Sequence, residues 1–374
     1  MKDVEHAIAE AGKQCRALLD VKGIEWPESV QDLLRDAREA KSLQDHYEIL
    51  VRLTARLRDG HARVVVHDEA KGVRWPGPAM EGASGPGLFL CRSDGKILVK
   101  QAWDAAARAG VSPGMEVLVI EGKPAAEWIE ETMREHREWS GFSTEQQAFY
   151  FACHWGLGGK SGSKLALRVR SLDGKERRVE VRRAGASFVP DGPVFPPENL
   201  KSLGRQRYGR TAAGNGYIHL RDCPGDLPEQ MDRMLEEIGD VPGLVLDFRA
   251  NGGGGFDHDG LLARFVESGP IAVIVDAGVR SAGETASGMF KEDRGAPMIG
   301  ESPTAGMSSS KTTIDLPSGL FSLYVSVRSN KGRFNRGRGI EGIGVLPDEI
   351  VEYDPADLAN GVDTLLGRAE ERLR

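Results

Sequence analysis

At 374 residues, 40% apolar and 28% charged, the chain has the balance of a soluble globular protein, long enough for two or three domains with buried cores. Its 49 basic and 56 acidic residues, net −7, include no basic block of the kind that tracks a phosphate backbone, which argues against a nucleic-acid partner. No run approaches 18 apolar residues, and "MKDVEHAIAEAGKQCRALLD" is acidic where a leader has a basic start and an apolar centre, so neither a membrane segment nor a signal is expected in the chain as given.

The compartment stays open: secreted or periplasmic if a signal has been removed, cytoplasmic otherwise. Cys15, Cys91, Cys153 and Cys223 lie far apart with no C-x-x-C pair, so buried thiols are expected rather than a zinc site or a disulfide framework.

In chain order, "VEHAIAEAGKQCRALL", "SVQDLLRDAREA" and "SLQDHYEILVRLTARL" repeat apolar residues every three or four positions and predict an N-terminal helical region. An Asp-Gly turn then opens the β-rich "DGHARVVVHDE", so that residues 1–70 end in a strand bearing His61. "GVRWPGPAMEGASGPG" (72–87) and "GASFVPDGPVFPPENL" (185–200), rich in Gly and Pro, predict linkers that could act as hinges.

Between the linkers, short strands ("GLFLCRS", "KILVKQA"), a helical turn ("DAAARAGVSPG"), a strand ("MEVLVIEG"), a helix ("AAEWIEETMREH") and closing strands ("SKLALRVRS", "ERRVEVRRA") follow in turn. With "AAARAGVSPGMEVLVIEGKPA" at its centre, residues 85–184 resemble a PDZ domain. That resemblance implies capture of an extended peptide end as an added strand, with the N–H groups of a Gly-containing loop on its carboxylate. "SGPGLFL" could supply that loop through Gly87 and Leu88, or be only a turn that opens a strand.

From 199 to 374, "GNGYIHL", "GLVLDFRA", "IAVIVDA" and "PMIGE" alternate with the helical stretches "DLPEQMDRMLEEIG", "HDGLLARFVES" and "SAGETASGMFKEDRG", which predicts βαβ units and a mixed, mostly parallel sheet with flanking helices. The strands "TTIDLP" and "LFSLYVSVRS", the segment "GIEGIGVLPDEIVE" and a last helix, "LANGVDTLLGRAEERL", close the chain.

Four stretches could carry chemistry. In "LVLDFRANGGGGFDHDG" a strand ends on four glycines, which let backbone approach a ligand and aim N–H groups at negative charge; the Gly-Lys-Ser/Thr ending of a phosphate loop is missing. Ser281 starts a helix with Glu284 three residues on, and this capping box explains it without chemistry. Yet the carboxyl ends of strands are where α/β sheets place ligands, and there the Ala282 N–H and the helix N-terminus would favour an oxyanion. His61 in "RLRDGHARVVV", with His67 a weaker candidate, is a base or a structural histidine. Glu341 in "GRGIEGIGVLPDEIVE" could orient an imidazole or be a solvated acid.

Taken in order, the Asp-Gly-His run, the PDZ-like insert, "LVLDFRANGGG", the Ser-Ala-x-Glu helix start, "MIGESPTAG" and "GVLPDEIV" resemble the tail-specific, or C-terminal processing, serine peptidases, from about residue 50 onward. The resemblance implies an α/β fold with a ClpP/crotonase-like protease core, an inserted PDZ-like β-rich domain and an N-terminal helical region. It also implies a polypeptide substrate and no metal, nucleotide or other cofactor.

One branch of that family uses a Ser-Lys dyad, with its lysine in a "G-E-x-T-x-G-K" run. Here "GESPTAGM" puts Met307 at that position, and a thioether cannot take a proton; Lys311 would need a register shift to serve. The other branch, similar to the tricorn core, implies Ser281 as nucleophile, His61 as general base and later acid, and Glu341 holding the imidazole. Its oxyanion hole would be the Ala282 N–H with Gly253. Gly60 stands where that branch has a serine before its histidine, which leaves a fourth polar interaction without its residue. A catalytically silent peptide-binding scaffold, with Ser281 as a cap only, is the alternative outside the enzyme class.

Overall fold

The computed structural model describes residues 1–78, 83–185, 192–265 and 269–374. Parts of both Gly/Pro-rich linkers and the end of "HDGLLARFVES" therefore lie outside the described residues.

The C-terminal half is built on a seven-stranded sheet in the order Lys201–Leu203, Gln206–Arg210, Gly216–His219, Leu244–Asp247, Ile271–Val275, Met298–Gly300, Glu349–Ile350. The first two pairings are antiparallel and the remaining four parallel. Its inner strands are apolar runs buried along their whole length, as parallel strands covered on both faces must be. One covering helix, Leu227–Ile238, opens with Pro228 in its first turn, where the missing N–H costs nothing, and buries Leu227, Met231, Met234 and Ile238. The two antiparallel edge strands fall on stretches too polar to read as strands, "KSL" and "QRYGR".

A second sheet, wholly antiparallel, runs Leu88–Ser93, Lys96–Ala102, Glu116–Ile120, Lys164–Arg170, Glu176–Arg182, with Lys123–Pro124 on the third strand. Its strand Lys164–Arg170 alternates exposed and buried residues, the pattern of a sheet with one wet face. The helix Ala125–Arg137 packs on it, and a further helix, Glu145–Ala152, which the sequence pattern does not announce, follows.

The N-terminal helices do not close a core of their own. Val4, Leu33, Leu50 and Leu53 share one apolar cluster with Ile314, Phe321, Leu323 and Val325 from late in the chain. The link is a three-stranded sheet in which Arg63–Val66 pairs antiparallel with Phe321–Ser326, itself paired with Lys311–Asp315. This pairing carries the histidine-bearing segment across to the α/β half. Cys15, Cys91, Cys153 and Cys223 are all free and buried, and burial pushes the Cys15 and Cys223 thiols up to about 12. Among the described residues, no helix is long and apolar enough to cross a membrane.

Candidate active site

The glycine loop is anchored from beneath by buried charge. Arg249, fully buried, donates to Asp247 at 2.9 Å and to the Tyr353 hydroxyl at 2.9 Å, and reaches Asp363 at 2.8 Å. Burial opposes every one of these charges, but the two carboxylates hold the guanidinium firmly ionised. Asp276, at the end of the next strand, accepts the N–H groups of Ala250 at 3.0 Å and Gly278 at 2.9 Å, tying the glycine loop to the turn before Ser281. Burial raises its carboxyl to about 6.

Gly253 sits at φ +82°, and a Cβ added there would lie 2.7 Å from Ser281 Cβ and 3.3 Å from Ala282 N. Only glycine allows this approach. Its own N–H donates to the Asn251 side-chain oxygen at 2.8 Å, so in this state it is bonded within the loop and does not face outward as an oxyanion donor.

Ser281 has φ 55° and ψ −125° at the start of the helix Ala282–Arg294, a backbone region that is costly for any residue with a Cβ. Its N–H is held by Met307 O and by Glu284 Oε2, each at 3.2 Å. The capping-box partner Glu284 does more than cap. Fully buried, it also accepts Met307 N–H at 2.8 Å, and Thr304 Oγ1 and Gly306 N–H at 2.6 Å each. It therefore clamps the 304–307 loop onto the helix start. Burial lifts its carboxyl to about 7 against the pull of these four donors.

His61 faces a carboxylate that the sequence reading passed over. Its N–H donates to Asp59 Oδ1 at 3.0 Å, and its ring Nδ1 lies 3.7 Å from the same oxygen. Asp59 Oδ2 accepts Ser326 N–H at 3.0 Å, so the strand pairing fixes the acid beside the imidazole. Burial raises the Asp59 pKa, yet the bond to His61 and the charge of Lys22 hold it well below the usual carboxylate range. The signal was there to be read: Asp two residues before His is an Asx-turn spacing.

Glu341 is buried, and neither of its oxygens has a hydrogen-bond partner. Its charge partner is Lys22, 3.6 Å away on the N-terminal helix Arg16–Lys22, a residue nothing in the sequence marks. Burial pushes Glu341 up to about 8; Lys22 pulls it down, while Asp59 and Glu284 add to the rise.

Ser281 and Gly60, the residue before His61, both pack on Met307. The Met307 carbonyl holds Ser281 N–H, and its sulfur would lie 2.5 Å from a Cβ placed on Gly60. The Glu341 turn joins the same loop through Gly342 N–H to Gly306 O at 3.0 Å. Among the described residues, no hydrogen bond connects the Ser281 hydroxyl to the His61 ring. Lys311 begins its strand opposite Ser326. His67 is bonded to Gly319 O and Ser322 Oγ. No three of His, Cys, Asp or Glu among the described residues are grouped to hold a metal ion.

Two cavities meet at Tyr150 and Ala277. One, about 540 Å³, lies against Phe89–Arg92 and the helix Ala125–Arg137; the other, about 400 Å³, lies between Gly60–Val64 and Ala277–Arg280. Gly87, at φ +79°, is forced to be glycine by Trp103 O, 2.3 Å from a Cβ there, and Leu88 is buried in its strand. The larger cavity starts one residue beyond them, at Phe89.

A mixed, mostly parallel sheet, with a strained serine at a helix start against a glycine loop, defines a mixed α/β fold. Residues 256–351 match the family model described as peptidase family S41. It is 25% identical over 97% of its length to the putative tricorn protease homolog 2 of Streptomyces coelicolor, covering 31% of that protein. Over 42% of its length it is 28% identical to the carboxy-terminal-processing protease of Bartonella bacilliformis, covering 36% of it. The chain thus spans about a third of the length of these curated relatives. Among solved structures, mature CPAF complexed with lactacystin aligns over 99% of this chain and 98% of its own, with a TM-score of 0.66 at 13% identity, a likeness of fold.

Proposed function

We propose that the chain is a serine peptidase that hydrolyses peptide bonds of unstructured or C-terminal polypeptide segments through an acyl-enzyme on Ser281. His61 removes the hydroxyl proton and later returns it to the leaving amine. Asp59 stands against the imidazole, and Glu341, once ionised, adds a second negative charge that favours the imidazolium. The Ala282 N–H, with the Gly253 N–H released from Asn251 as substrate enters, would receive the oxyanion; catalytic hydrogen bonds often tighten only in the complex.

One observation carries the reading. Ser42, which only caps a helix, sits at φ −131° and ψ 163°, ordinary extended backbone for that role, and its hydroxyl accepts Asp45 N–H. Ser281 is held at φ 55° and ψ −125°, a conformation that costs about 1–3 kcal/mol and that capping does not require. The names of the S41 relatives supply the substrate class. The PDZ-like sheet supplies a place for the polypeptide, along the larger cavity at Phe89–Arg92.

Labelling by a fluorophosphonate tests the assignment. Wild type is expected to be modified, and Ser281→Ala and His61→Ala are expected not to be. Labelling retained in His61→Ala but lost in Lys311→Ala would transfer the role of base to Lys311. Absence of labelling in folded wild type would favour a silent peptide-binding scaffold.

A further inference from the structure

The smaller cavity adjoins the reactive residues on both sides without containing them: Gly60 and Ala62 flank His61, and Gly278 and Arg280 lead into Ser281. Its volume of about 400 Å³ falls in the range of about 300–1,000 Å³ usual for small-ligand sites. Much of its wall is aromatic, including Tyr47, Trp75, Trp139, Phe142 and Phe151.

Among the described residues its lining contains no Asp or Glu, whereas Arg63 and Arg280 both stand in it. The neighbouring carboxylates face elsewhere. Asp59 is turned into the N–H groups of His61 and Ser326, and Asp276 into those of Ala250 and Gly278. His154, in the same wall, is kept neutral at physiological pH by burial, its pKa pushed down to about 3.

We propose that this cavity receives the substrate side chain on the acyl side of the scissile bond and selects large apolar residues, aromatic ones above all, while rejecting lysine and arginine. Apolar area is removed from water against the rings. A cationic side chain would lose its hydration beside two arginines, with no carboxylate to meet it. The inference rests on the reading of Ser281 as nucleophile.

Gln147 offers a way to reverse the selection. Its Oε1 accepts Ser143 N–H at 2.7 Å while Nε2 points at Met307 Sδ at 2.9 Å. Gln147→Glu keeps the first bond and the shape and puts a carboxylate into the wall.

The test uses tripeptidyl diphenyl phosphonates that differ only in the residue bearing the phosphonate, Phe, Leu, Ala or Lys, with a plain fluorophosphonate as control. Second-order labelling of wild type is expected to be at least about tenfold faster with Phe or Leu than with Ala, and about a hundredfold faster than with Lys. In Gln147→Glu the Phe-to-Lys ratio is expected to fall by at least about tenfold. Equal rates for Phe and Ala, or a faster rate for Lys, with the plain probe still reacting at Ser281, would overturn the pocket assignment and leave the nucleophile standing. An unchanged ratio in a folded Gln147→Glu protein would overturn it as well. Failure of the plain probe on folded wild type would remove both.

Discussion

Lys22 is the most informative residue to change, because it lies far from Ser281 in the chain and yet sets a charge at the site. Its ammonium donates to Arg58 O at 2.7 Å and stands 3.6 Å from Glu341 Oε2, and the two side chains of the ion pair are 4% and 1% exposed. At that separation, with an effective dielectric constant of about 20, the attraction is about 5 kcal/mol, or about 3 pH units in the titration of Glu341. Glu341 is already raised from 4.5 to about 8 with Lys22 in place. Lys22→Met, which keeps most of the stem, should raise it further, so that the carboxyl stays protonated well into the alkaline range.

The sign follows from linkage. A carboxyl whose folded pKa lies above its unfolded value binds a proton on folding, so its contribution to stability is complete below about 4.5. That contribution is lost as pH rises through about 8. Urea-denaturation midpoints from pH 5 to pH 10 are therefore expected to show the variant close to wild type at pH 5, where the carboxyl is neutral in both. At pH 9, where the wild-type carboxyl has ionised beside Lys22 while the variant's stays protonated, it should be about 1–2 kcal/mol less stable, because ionisation above about 8 relieves the wild type alone. Glu341→Gln should remove this pH dependence. A deficit of equal size at pH 5 and pH 9 would refute the reasoning and leave Lys22 acting only through packing and the Arg58 carbonyl.

Ser281→Gly should abolish fluorophosphonate labelling and yet raise stability by about 1 kcal/mol, since relief of about 1–3 kcal/mol of backbone strain outweighs the entropy of an added glycine; a denaturation midpoint below wild type would contradict the strain assigned to φ 55°. Gly253→Ala forces a Cβ to within 2.7 Å of Ser281 Cβ and 2.9 Å of Arg280 O, and labelling is expected to slow by about a hundredfold, the size of a lost oxyanion donor. A rate within threefold of wild type would show that the loop gives way easily and that its closeness to Ser281 is incidental.

What could be read in advance followed local rules. Parallel strands such as Leu244–Asp247 and Ile271–Val275 are short apolar runs because both their faces are covered, and the capping box at Ser281 is a three-residue spacing. What could not be read depended on what a buried face meets. The pattern of helix Leu43–Arg56 says that Leu50 and Leu53 are buried, but not that Phe321 and Leu323 bury them. That unannounced pairing brings Ser326 N–H to Asp59 and so sets the acid beside His61. Lys22 escaped for the same reason, as a lysine at a helix end that is ordinary until the fold places Glu341 beside it.

Local and long-range features meet at Glu284. As the acid of a capping box it needs only one N–H, and an exposed carboxylate would supply that at little cost, as Asp45 does for Ser42. Here the carboxylate is buried and takes four donors, from Ser281, Thr304, Gly306 and Met307. Three of these belong to the loop that also touches Gly60 through Met307 and the Glu341 turn through Gly306. Burying an acid at that cost is intelligible if it fixes Ser281 relative to the histidine and Glu341 segments at once, because a nucleophile misplaced by an ångström loses most of the advantage of orientation. A helix that needed only a cap would have no use for such a clamp.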